Sequence, residues 1–253
     1  MKKIGKITWI VVKSLLIYLV LWGVTTTVIQ NVIKIIKVEN FKSQAIYDEK
    51  NSTSTVKYYV VKGNDDIPSY ELNGTLVYPG YEADILTSPN ATLIGPITSN
   101  LVSFFVGGHA AICMNDYNDF QIKSDIYKSV ESTGLGSYGK YADLFSKSYW
   151  IFNNPFNEVI GLRAKLTESQ RKEVMSLAAS YVGDPYNYSF LFDTTNKSYC
   201  SDLVSKVYEK VNVNLNKNSF VTTVYDIINS SDVYISYYQY YDNNGVKYIY
   251  YLG

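Results

Sequence analysis

An α+β domain behind a single membrane helix is what this sequence predicts, on three observations. Twenty consecutive residues, Ser14 to Ile33, carry no charge. Two later segments have the apolar spacing and the end signals of amphipathic helices. Between and after them lie short runs rich in Val, Ile and Tyr, punctuated by Gly, Pro, Asn and Asp, as strands and turns are. With the membrane segment set aside, the rest of the 253 residues, 47% hydrophobic over the whole chain, suffices for one medium-sized domain with a real core.

The chain opens with Lys2, Lys3, Lys6 and Lys13, and the charge-free run of twenty residues then has the helix length that crosses ~30 Å of hydrocarbon. No small-x-small cleavage site follows a shorter apolar core, and no polar face appears along Ser14 to Ile29. Residues 1–36 are therefore expected as a cytoplasmic N-terminus and uncleaved anchor. The excess of lysines before the run over Lys34 and Lys37 after it favours a single-pass cell-membrane protein with its domain extracytoplasmic. Residues 37–71 read as a polar juxtamembrane connection, with "VKYYVV" a short strand at the early edge of the domain.

The domain is expected over 72–253. "GTLVYPG" and "ADILTS" read as strands, "ITSNLVSFFVG" as a short helix ended by Gly107-Gly108, and "HAAICM" as a strand. The turn "NDYNDF" leads to "IYKSVEST", a partner strand followed by Gly134 and Gly136. After a long loop comes the strand "NEVIGLRAKL". Thr167 and Gln170 form a capping box, with Leu166 as staple, and Val174, Leu177, Ala178 and Tyr181 make a stripe that Gly183 and Pro185 stop. From Ser201 to Val211 a second helix sets Leu203, Val204, Val207, Tyr208 and Val211 against Asp202, Lys206, Glu209 and Lys210. A short helix, "TVYDIINS", and two Tyr-rich strands, "VYISYYQYY" and "VKYIYYL", joined at Asp242-Asn243-Asn244-Gly245, complete the domain.

Charge balances at 23 basic and 23 acidic residues, scattered along the chain, so no nucleic acid partner is expected. The 26 tyrosines read as compositional bias rather than chemistry. One histidine, His109, and two cysteines, Cys113 and Cys200, are too few for a Cys/His zinc site, and no metal or cofactor is expected.

The candidates for chemistry are among those three residues. Cys200 stands where its helix begins, and unpaired backbone N–H groups with the positive end of the dipole favour a thiolate there. A nucleophilic thiolate needs a base, and His109, after two glycines that leave the imidazole accessible, is the sole candidate. Glu131, on the strand paired after His109, could orient the ring. Opposed residues lie ~5 Å apart and diagonal ones stay within reach, with Asp116, Asp119 and Asp125 as rivals. A lone cysteine at a helix start is more often packed core, so spacing alone leaves nucleophile and core residue both open. Cys113 shares the His109 face but sits ~13 Å along the strand, too far to be the nucleophile. If Cys200 approaches His109, the same distance disfavours a Cys113–Cys200 disulfide.

"GGHAAI", "SVESTG", "GDPYNYSF" and "SYCSDLVSKVYEK" together resemble the YiiX-like branch of the NlpC/P60 superfamily, the circularly permuted papain-like cysteine hydrolases. The resemblance covers about residues 72 to 233, with Ala83 of "ADILTS" where the family has glycine and a longer turn before "SVEST". It implies an antiparallel sheet packed on helices and a triad in the order His109, Glu131, Cys200. Cys200 is then the nucleophile, His109 base and acid, and Glu131 the orienter, with Tyr186, Gly108 and Ser201 as substrate contacts and the Cys200 backbone N–H as an oxyanion donor. The implied activity is amide or peptide hydrolysis, with peptide or peptidoglycan as substrate. A lipid-directed acyltransferase or lipase and a non-catalytic peptide- or lipid-binding module are the alternatives. Polar groups lining the cleft favour the first and a long apolar groove the second; an intact Cys, His and Glu set argues against the third.

Overall fold

The structure, a computed structural model, describes residues 2–63, 82–89, 108–114, 128–132, 142–146, 150, 156–190, 195–216 and 221–253. The expected strand "GTLVYPG", the helix "ITSNLVSFFVG", the turn "NDYNDF", Gly107, Gly134, Gly136 and the aspartates 116, 119 and 125 lie outside them.

Four helices, α1 (Lys2–Lys42), α2 (Glu168–Ser180), α3 (Cys200–Glu209) and α4 (Val224–Asn229), accompany nine strands among the described residues. The strands are β1 (Ala45–Asp48), β2 (Val56–Val61), β3 (Ile85–Ser88), β4 (His109–Cys113), β5 (Lys128–Ser132), β6 (Ala142–Ser146), β7 (Glu158–Ala164), β8 (Val233–Tyr241) and β9 (Lys247–Leu252). They form one sheet in the order β1-β2-β9-β8-β7-β3-β4-β5-β6. The expected α+β class holds, but the sheet is mixed rather than antiparallel. β2 runs parallel to β9, from Val56 opposite Lys247 to Val61 opposite Leu252. A parallel pair needs a long crossover, and here most of the domain is that crossover.

The segment 37–71 also differs from a simple connection. α1 continues unbroken to Lys42, and β1 and β2 follow as edge strands of the same sheet. Val38 and Phe41 enter the main core, Lys34 pairs with Glu158 at 3.2 Å, and Lys37 donates to the carbonyls of Ile228 and Ser230, both at 2.9 Å. α1 contains a stretch, within Val11–Ser43, long and apolar enough to cross a membrane by length and composition. From Gln30 onward one face of it is docked on the domain, while Val32, Ile33, Ile35 and Ile36 stay exposed.

α2 begins at the expected capping box: the Thr167 hydroxyl accepts from Gln170 N–H while the Gln170 side chain accepts from Thr167 N–H. Gly183 ends the turn after it at φ +99°. α3 buries Leu203, Val204, Val207 and Tyr208 against Ala110, Ile112, Ile160 and Leu162. Each large apolar side chain so buried contributes roughly 1.5–3 kcal/mol. Asp202 and Lys206, read as a solvent face, instead form a largely buried pair at 2.7 Å, and Lys206 also donates to the Lys197 carbonyl at 2.8 Å. That pair ties the segment before the helix to its first turn.

Two backbone positions explain sequence choices around β3 and β4. Ala83 has φ +58°, the left-handed region that favours glycine. It is held by Ala83 N–H donating to the Cys113 carbonyl at 2.8 Å and by the Tyr208 hydroxyl donating to the Ala83 carbonyl. Next to it, Asp84 is fully buried and accepts two bonds from Arg163, at 2.9 and 2.7 Å. Burial lowers the Arg163 guanidinium to about 10, still charged at neutral pH.

Candidate active site

β4 starts at His109 because Gly108 turns the chain into it. Gly108 has φ +99°, and a Cβ built there would lie 1.9 Å from the Ser88 carbonyl oxygen, so only glycine fits. Antiparallel pairing of Ser88 with His109 then fixes the histidine at the end of the sheet's central strands. Its ring is 1% exposed and lies in a stack, 5.4 Å and 11° from Trp150 and 6.1 Å and 13° from Phe156. Trp150 and Phe156 are themselves stacked at 4.4 Å. Both were missed by sequence reading, although "YWIFNNPF" is a dense aromatic run in the sequence before β7.

Cys200 is the first residue of α3, as the sequence indicates. Its N-cap, Tyr199, is extended (φ −99°, ψ 174°) and makes no side-chain cap, leaving first-turn N–H groups for other acceptors. The small side chain of Ala110 lets α3 pack closely on β4, which brings Cys200 to His109. Cys200 is 4% exposed, and its Sγ donates to the Gly108 carbonyl at 3.7 Å. Burial pushes the thiol up. The hydrogen bond and charge of His109, with the backbone N–H groups of Ala110 and Ser201, outweigh it and hold the thiol below its ordinary value. Cys113 and Cys200 form no disulfide, Cys113 lying on the far side of β4 among Leu86, Ala111 and Val159.

The other expected residues divide. Tyr186 is drawn to the site through an isolated bridge to Ser198, two residues before the cysteine. Burial, and then the neighbouring Cys200 charge, hold its phenol well above the usual tyrosine range, so it keeps its proton. Phe190 and Tyr199 pack with it. Ser201, expected as a substrate contact, is fully buried and donates its hydroxyl to the Thr222 carbonyl at 2.8 Å. The hydroxyl is therefore committed to the fold, and what Ser201 offers Cys200 is its backbone N–H. Gly108 offers its carbonyl and its lack of a side chain.

β5 pairs antiparallel with β4, Ile112 opposite Val130 and Cys113 opposite Ser129, and with β6, Glu131 opposite Asp143. Continuing the first ladder by one residue puts Glu131 opposite Ala111, a diagonal neighbour of His109. Among the described residues no group of three or more His, Cys, Asp or Glu gathers where it could hold a metal ion.

A thiol lowered by an imidazole at the start of a helix, the helix packed on the imidazole's strand, defines a papain-like cysteine hydrolase. Comparison with known families specifies which. The model of the permuted papain-like amidases, YaeF/YiiX, the C92 family, matches residues 99–239, more than half of the chain, and the chain belongs to that family. Among solved structures, the crystal structure of YiiX from Escherichia coli O157:H7, titled a metalloprotein, is similar over 63% of this chain and 90% of that one, at 15% identity and a TM-score of 0.41. No curated protein matches.

Proposed function

We propose that this chain is a membrane-anchored amide hydrolase working through Cys200, His109 and Glu131 outside the cytoplasm, with peptides, including cell-wall stem peptides, as substrates. The observation that carries this reading is the Cys200–His109 contact, which lowers the thiol despite full burial. The Cys200 thiolate attacks the amide carbonyl carbon, forming the S–C bond. The oxyanion takes hydrogen bonds from the Cys200 backbone N–H and the protonated Tyr186 phenol. As the C–N bond breaks, the imidazolium of His109 gives its proton to the leaving amine. Water then adds to the thioester with His109 as base, releasing the carboxylic acid and restoring the thiol. Glu131 holds the ring from the adjacent strand, while Trp150 and Phe156 restrict its tilt.

Transfer of a lipid acyl group would run through the same thioester. The aromatic flanks of the site, Trp150 and Phe156 on one side and Tyr186, Phe190 and Tyr199 on the other, favour it as a second reading. The charge-free run and the lysines before it support the anchor and its orientation.

Iodoacetamide tests the nucleophile: one equivalent is expected on Cys200 and none on Cys113, with a rate whose pH midpoint lies below that of a free thiol. A His109→Ala protein that labels at an unchanged rate from about pH 5 to 8 overturns the dyad. Incubation with peptidoglycan and with phospholipid, read by product mass, separates the two substrate readings.

A further inference from the structure

The docked part of α1 bears on where the site stands relative to the bilayer. Its partners step across the sheet. At its end, the Lys42 ammonium lies over the rings of Tyr240 and Tyr250, on β8 and β9, at 5.5 and 5.8 Å. Two turns nearer the N-terminus, Lys34 pairs with Glu158 at the start of β7. A further turn back, the Gln30 side chain donates to Asp226 of α4 at 2.6 Å, and the Gln30 carbonyl accepts from Asn229 at 2.9 Å. The residue just before that helix's cap, Thr222, is bound to the catalytic helix. Its carbonyl accepts from Ser201, and its N–H donates to the Tyr199 hydroxyl at 2.9 Å.

Toward the N-terminus, then, the partners of α1 move from the β9 side of the sheet to the catalytic side. The distances agree. Lys42 to Lys34 spans ~12 Å of helix, and β9 to β7 is two strand spacings in the sheet order, ~10 Å, so α1 crosses the strands nearly squarely. On the same scale β4 lies two spacings beyond β7, ~19 Å from β9. Gln30 lies ~18 Å from Lys42. His109 therefore stands at about the height of Gln30.

The undocked part of α1 stops at that same height: Val32, Ile33, Ile35 and Ile36 beyond it are still 40–54% exposed, but from Gln30 the opposite face is held by polar groups of α4 and β7, which hydrocarbon would not cover. Residues 11–29, with Lys13 near their far end, make ~28 Å of helix, about the thickness of the hydrocarbon. Their large side chains are bare, Leu15, Ile17, Leu21 and Ile29 being 54–61% exposed. From residue 24 to 42 no glycine or proline interrupts the helix, so the mount has no built-in hinge.

We propose that α1 holds the Cys200–His109 pair level with the bilayer surface, so that the enzyme acts on carbonyl groups of bilayer-resident amphiphiles rather than on substrates free in solution. This rests on the anchor and nucleophile of the proposed function and narrows its substrate to a molecule with a membrane-buried tail.

The test uses the full chain in phosphatidylcholine vesicles and two alkylating reagents of one chemistry, in each of which the thiolate displaces iodide. Iodoacetamide arrives from water and N-stearyl iodoacetamide from the bilayer, and the modified residue is read by mass. Both are expected to label Cys200. Seven helix-forming residues inserted between Ile29 and Gln30 lift the domain by ~10 Å while nearly preserving its facing. In that protein the stearyl reagent is expected to slow at least tenfold and iodoacetamide to be unchanged. Equal stearyl rates in the two proteins, or a native protein that only iodoacetamide can label, overturn the height. If iodoacetamide leaves Cys200 untouched in the native protein, the nucleophile fails, and this proposal falls with it. A palmitoylated peptide bearing the same iodoacetamide group is expected to slow likewise on insertion. Its rate relative to the stearyl reagent tells a lipid-tethered peptide from a lipid, and an insertion that leaves it unchanged counts against the height.

Discussion

The two ends of the sheet are built on opposite principles. At the β1-β2-β9-β8 end, large rings stack across strands: Tyr59 on Tyr250 at 4.6 Å and Tyr240 on Tyr248 at 5.0 Å, with Lys42 above. Such pairs add about 0.5–1.5 kcal/mol each beyond the area they bury. Toward the other end, at β3 and β4, the residues facing α3 are small, Gly108 and Ala110, and the helix start comes close enough for backbone N–H groups to reach a sulfur atom. One end secures the docked helix by area; the other positions a thiol by close backbone approach. Damage to the first should cost stability, and damage to the second should cost chemistry.

The largest effect is expected from Cys200→Ser. A hydroxyl in place of the lowered thiol should reduce acyl transfer and alkylation by more than about a thousandfold, while urea unfolding shifts by less than about 1 kcal/mol. His109→Gln follows. With the imidazole gone, only the Ala110 and Ser201 N–H groups oppose burial, so the pH midpoint of alkylation should move upward and the rate at pH 6 fall by at least about tenfold. In the native protein a depressed folded-state thiol contributes stability that is full above the unfolded thiol pKa. That contribution is lost as pH falls through the folded value, and in His109→Gln this slope should be smaller or change sign as the folded value rises toward or past the unfolded one.

Gly108→Ala should cost about 3 kcal/mol or more in urea unfolding, because its Cβ would meet the Ser88 carbonyl and its φ is left-handed. Lys34→Met leaves Glu158 buried without its cation and should cost about 3 kcal/mol. Alkylation of the folded variant by iodoacetamide should nonetheless be unchanged. A parallel fall in that rate would show that the two ends are not separable. The smallest effect is a gain: Ala83→Gly relieves a positive φ and should stabilise by about 0.5–1 kcal/mol, measured as a higher urea midpoint.

Local signals read well. The capping box at Thr167, the start of α3 at Cys200 and the strand His109–Cys113 all depend on a few neighbouring residues, and each was visible in the chain. What depended on distant partners was not. β1 and β6 are short strands with little alternation of their own and become strands through pairing. The parallel match of β2 with β9 joins segments nearly 190 residues apart. The tyrosines, dismissed as composition, became stacks once cross-strand register placed them together. Ser201 looked like a site residue because it follows the cysteine, but the first helical turn points its hydroxyl into the fold. Trp150 and Phe156 were invisible as neighbours of His109 because an aromatic run announces burial without naming what it covers.

The place of β9 has a consequence for how the protein is made. β1 and β2 join the rest of the sheet only through β9, the last strand in chain order. Until β9 is synthesised and, on the proposed orientation, has crossed the membrane, the β1–β2 hairpin has no neighbour and the tyrosine stacks cannot form. Pairing across so long a stretch of chain is slow. The emerging domain therefore spends its early life with an unpaired edge exposed, the interval in which quality-control chaperones and proteases would find it.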